Sequence, residues 1–150
     1  MEIKISLNNL TYRYDVYQMF NIYFPLDEIK FIEEGDFIIN IAENKVMFSY
    51  NKYVCECTLN DTPKEDIKRL VFSSLRDITG EIHPWGILVG IRPSKIALKY
   101  LEKGKTEDEI IETFNLKHLV SEEKAKLCID IAKIERKFVN NKSNSIAIYV

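Results

Sequence analysis

The sequence predicts an α+β fold: a small antiparallel sheet with packed helices in the first half, followed by a helical bundle. Two observations carry this. Before residue 60, apolar residues alternate at period two in short runs, the pattern of strands with one buried face. After residue 62 they recur at helical spacing, and the runs are bounded by capping residues, proline and glycine.

Taken in order, Ile3, Ile5 and Leu7 alternate with Lys4 and Ser6 as a half-buried strand requires, and Asn8-Asn9 ends the run. From Tyr12 to Phe24, Tyr12, Val16, Met19, Phe20 and Tyr23 fall on one helical face, and Pro25 closes the helix. Three alternating sets follow: Phe37, Ile39 and Ile41; Val46, Phe48 and Tyr50; Tyr53, Cys55, Cys57 and Leu59. They are separated at Glu43-Asn44 and Asn51-Lys52, which reads as an antiparallel meander. Thr62-Pro63-Lys64-Glu65 combines an N-cap threonine, a proline at the first helical position and a glutamate three residues after the cap. Ile67, Leu70, Val71, Leu75 and Ile78 form the stripe of that helix, and Gly80 ends it.

The second half reads as three helices. Pro93 to Lys103 turns Ile96, Ala97, Tyr100 and Leu101 inward, and Thr106 to about Phe114 opens with the capping box Thr106-x-x-Glu109. In the third, Ser121 to about Val139, the expected seam is Leu127, Ile131, Ile134 and Phe138, widened by Cys128 and Ala132. The expected organisation is a sheet domain over 1–80, a connecting loop and helical bundle over 81–141, and a linker with an apolar strand over 142–150. That strand, Ser145 to Val150, needs partners on both edges, so it reads as the start of a further domain.

Composition narrows function. The three cysteines contain no CxxC knuckle, and Cys55 and Cys57 share one strand face, so all three read as small buried residues rather than metal ligands. No apolar run is long enough for a signal peptide or a spanning helix, which points to the cytoplasm and to no membrane partner. The net charge is −2, and residues 63–104 alone carry a basic excess, eight against five. An independent module binding nucleic acid or another anion is therefore the alternative reading; the acidic first third disfavours nucleic acid. There is no P-loop, no GxGxxG, no HExxH and no nucleophile elbow.

The segment from Gly80 to Lys95 holds the single tryptophan, three of five glycines and two of four prolines, a density of backbone specialists that implies a defined loop path. Trp85, Arg92 and Lys95 are its candidate contact residues. Arg92 and Lys95 stand at the start of a helix, where N–H groups and the helix dipole favour carboxylate or phosphate. On the structural reading, Trp85, Ile87, Leu88 and Ile91 pack and Arg92 satisfies carbonyls. His83, beside Pro84, reads as a hydrogen-bonding loop residue, and no catalytic residue is assigned.

The run Pro84-Trp85-Gly86-Ile87-Leu88-Val89-Gly90-Ile91-Arg92-Pro93-Ser94-Lys95 resembles the PWGILTGIRPTK signature of the oxygen-independent coproporphyrinogen dehydrogenases of Firmicutes, which are radical SAM proteins. Leu101-Glu102-Lys103-Gly104, Ser121-Glu122-Glu123-Lys124-Ala125 and Ser145 to Val150 agree with the same family; the resemblance is strong from Gly80 onward and weak before it. It implies a parent enzyme that uses a [4Fe-4S] cluster and S-adenosylmethionine to decarboxylate porphyrinogen propionates oxidatively, in porphyrin and haem biosynthesis. The chain itself contains no CxxxCxxC, so no cofactor is assigned to any of its residues and it is expected to be inactive alone. The implied partners are its own C-terminal radical SAM barrel and the porphyrinogen, with Arg92 and Lys95 as contacts for a propionate or for the barrel.

Overall fold

The structure, a computed structural model, describes residues 1–141; the apolar segment from Ser145 to Val150 lies outside the described residues. The chain divides into two compact units, Met1–Ile87 and Leu88–Val150. The boundary falls seven residues later than the sequence suggests, because residues 81–87 belong to the sheet unit.

In the first unit the strands β1 (Ile3–Leu7), β2 (Ile29–Phe31), β3 (Phe37–Ile41), β4 (Lys45–Tyr50) and β5 (Tyr53–Thr58) form one sheet in the order β2-β1-β3-β4-β5. The helices α1 (Arg13–Tyr23) and α2 (Pro63–Thr79) supply its apolar cover. Ile3, Ile5, Phe37, Ile39, Ile41, Val46 and Phe48 are buried, while Lys4, Ile38, Asn40, Val54 and Glu56 between them are exposed, so one face is covered and the other is open. Phe20 of α1 sits at the centre, edge-on to Phe37 at 5.2 Å and stacked on Phe48 at 6.5 Å. Phe37 in turn stacks on its cross-strand partner Tyr50 at 4.2 Å.

The α+β class and the packed helices are as expected. The sheet, however, is mixed: β3, β4 and β5 form the antiparallel meander, but β1 runs parallel to both of its neighbours. Two connections produce this. Helix α1 carries the chain back so that β2 starts in the direction of β1, and residues 32–36 then cross over β1, letting β3 run the same way on its far side. The crossing is tight: a Cβ on Gly35 would stand 2.6 Å from the Ser6 nitrogen and 2.7 Å from the Ile5 carbon. Only glycine fits there. The Ser6 hydroxyl donates to the Glu33 carbonyl at 2.8 Å, and the Ile32 N–H donates to the Ile5 carbonyl at 2.9 Å, fixing the crossing on β1. Strand β2 has no counterpart in the sequence reading, since three residues are too few to display a period.

Helix α2 starts and stops where expected, although its cap differs. The Thr62 side chain makes no capping hydrogen bond; the nearly buried Asp66 carboxylate instead accepts from the Asn60 N–H at 2.7 Å and pairs with Arg69. Gly80 ends the helix in the left-handed conformation at φ 74°, its N–H donating to the Arg76 carbonyl.

The second unit contains α3 (Pro93–Glu102), α4 (Glu107–Lys117) and α5 (Glu122–Asn141). Thr106 and Glu109 make both hydrogen bonds of the capping box, and the Ser121 hydroxyl accepts from the Lys124 N–H. Ala97, Ile110, Phe114, Val120, Ala125, Cys128, Ile129 and Ala132 form the core. On α5 this corrects the expected seam. Leu127, Ile131, Ile134 and Phe138 are 39 to 60% exposed, and the neighbouring stripe of Ala125, Cys128, Ile129 and Ala132 faces inward. The helix is apolar on two adjacent stripes, and the smaller one is buried where α3 presents Ser94 and Ala97.

Candidate functional site

The glycines and prolines between Gly80 and Lys95 each meet a backbone demand. The Gly86 N–H donates to the His83 carbonyl at 3.1 Å, closing a turn through Pro84 and Trp85, and Gly86 and Gly90 have φ of 56° and 71°. Arg92 is extended, as the residue before a proline must be, and Pro93 occupies the first position of α3.

Trp85 is half-buried in the sheet unit, whereas Arg92 and Lys95 belong to the bundle unit. Arg92 lies 3.6 Å from the Glu135 carboxylate of α5, which also accepts from the hydroxyl of the buried Ser94 at 3.4 Å. A carboxylate of the bundle itself thus stands at the start of α3, with Arg92 and Ser94 as its partners. Lys95 is exposed, and its N–H donates to the Arg92 carbonyl. His83 and Glu81 pair at 3.0 Å, and the His83 ring meets Tyr23 edge-on at 4.6 Å. The Tyr23 hydroxyl donates to the Phe72 carbonyl at 3.1 Å; burial pushes its pKa up to about 12, against the opposing pull of Arg76. These contacts make His83 a loop anchor.

Burial pushes the Cys57 and Cys128 thiols up, which keeps them protonated. Cys55 and Cys57 sit on β5 and Cys128 sits in the bundle unit; among the described residues no three His, Cys, Asp or Glu side chains could hold a metal ion. Several cations of the bundle unit are matched by carboxylates, Lys126 by Glu122, Lys133 by Glu107 and Arg92 by Glu135. Among the described residues no helix is long and apolar enough to cross a membrane.

The sequence reading missed a surface on the sheet unit. Two hollows of about 400 and 280 Å³ adjoin at Leu10 and Arg13, the first walled by Thr11, Tyr14 and Tyr17 and the second by Ile5, Leu7, Phe31, Ile32 and Glu33. The available signal was the run Leu10-Thr11-Tyr12-Arg13-Tyr14, whose large apolar and aromatic residues extend beyond the inward face of α1. Compared with protein-family models, with curated proteins and with solved structures, the chain matches none.

Proposed function

We propose that the chain is the cytoplasmic N-terminal accessory region of a radical SAM protein of the coproporphyrinogen dehydrogenase type, a docking region without catalytic residues of its own. The run from Pro84 to Lys95 supports the family. The accessory role is supported by one observation above all, the stripe of Leu127, Ile131 and Ile134 that α5 leaves exposed. A surface helix normally turns such a stripe inward, and one left outside marks a surface for another body.

On this reading cluster and S-adenosylmethionine chemistry belong to the downstream barrel. The test is the reading frame beyond Val150. It is expected to continue into CxxxCxxC within a few residues; a frame that continues without that motif, or that stops, overturns the proposal.

A further inference from the structure

The two hollows around Arg13 carry an inference independent of the family. They lie at the carboxyl ends of the parallel strands β1 and β2, beside the start of the helix that joins them. Parallel strands concentrate ligand sites at that end, where the chain departs to either side; here β1 has β2 on one flank and β3 on the other. Strand β2 stops opposite Ile5, whereas β1 runs on to Leu7, and the shortfall is a notch in the sheet edge, floored by Ile5 and Leu7. Its rim is apolar: Leu10 is 66% exposed, Tyr14 69% exposed, and Ile32 is also exposed. Scattered exposed apolar residues need no explanation, but these three line adjoining hollows.

Arg13 is the charged residue shared by both hollows. Its guanidinium lies 5.0 Å from the centre of the Phe31 ring, a cation–π contact that orients the planar fork while leaving it charged. Among the described residues no carboxylate pairs with it. An oriented guanidinium flanked by tyrosine, leucine and phenylalanine suits a ligand with one carboxylate and a flat apolar body. Glu33 lines the second hollow and disfavours a second negative group at that end.

We propose that this notch binds a small aromatic monocarboxylate, with the carboxylate on Arg13 and the ring against Tyr14, Tyr17 and Leu10. The probe is 3-phenylpropionate, followed by amide chemical-shift mapping on the whole chain. Binding with an apparent Kd on the order of 1 mM, suited to so small a ligand, is expected to shift residues 10–17 and 31–33 together. Arg13→Gln, at an exposed position and therefore compatible with folding, should weaken binding about tenfold, and 3-phenylpropionamide should bind wild type as weakly as the acid binds the variant. No shifts in those segments at 10 mM probe, or equal affinity for acid and amide, overturns the proposal.

Discussion

The two units bury different kinds of residue. The sheet unit encloses Phe20, Phe48, Phe72, Met19, Ile5 and Ile39 completely, whereas the bundle unit, among its described residues, closes over Ala97, Ala125, Cys128 and Ala132 with Phe114, Ile110, Ile129 and Val120 as its larger buried residues. On α5, Ile129 is buried while Leu127, Ile131 and Ile134 remain exposed. Burial is worth roughly 25 cal/mol per Å² of apolar surface, so each large side chain enclosed in the first unit contributes more to stability than each small one that fills the bundle. That difference teaches that the bundle core is built around small residues of α3 and α5, which leaves a stripe of larger residues exposed on the same α5 helix.

Substitutions can break or sharpen the contrast. Phe20→Ala removes the ring on which Phe37 and Phe48 pack and is expected to cost the sheet unit about 4 kcal/mol, read by urea unfolding followed through aromatic signals. Gly35→Ala places a methyl group against the β1 backbone and should cost about 3 kcal/mol, because the crossing must lift off Ser6; an effect near zero would show that the crossing yields. In the bundle unit, adjacent positions should behave oppositely. Ala132→Leu overfills the core at about 2 kcal/mol, while Ile131→Glu, one residue on, stays within about 0.5 kcal/mol in this chain.

Among the changes expected to destabilise, the smallest is Tyr23→Phe, about 1 kcal/mol at neutral pH for the lost hydrogen bond to Phe72. The folded-state pKa of Tyr23 is raised above its ordinary value of 10, so the stability it contributes is complete below pH 10 and is lost as pH rises toward 12. Tyr23→Phe should flatten that alkaline decline in part, since Tyr53 is pushed up by burial as well. A variant with the full wild-type decline would remove Tyr23 from the account.

The elements were legible in the sequence wherever a period ran long enough or a cap named its end. Among the described residues, the five α-helices and four of the five strands stand where alternation, Pro25, Gly80, Thr106 and Ser121 place them. What stayed hidden is relational. The direction of β1 depends on a connection rather than on its own residues, and Gly35 carries no local sign that a backbone passes within van der Waals contact. On α5, spacing cannot choose between two apolar stripes one residue apart; the small residues of α3 choose. The candidate site was legible as a defined loop path, since each glycine and proline from Gly80 to Pro93 has its geometric duty. It was not legible that Arg92 meets Glu135, which lies 43 positions away in sequence. Nor does sequence show a notch left by a strand two residues too short.

The docking role proposed for α5 is tested most directly by thiol labelling of an Ile131→Cys variant, comparing this chain with a longer protein that carries the proposed downstream barrel and reading modification peptide by peptide. The account predicts rapid labelling in the chain of 150 residues and protection in the longer protein, with Val54→Cys on the exposed β5 strand equally reactive in both. Equal labelling of residue 131 in both proteins would contradict it, leaving α5 with an apolar stripe that no downstream domain covers.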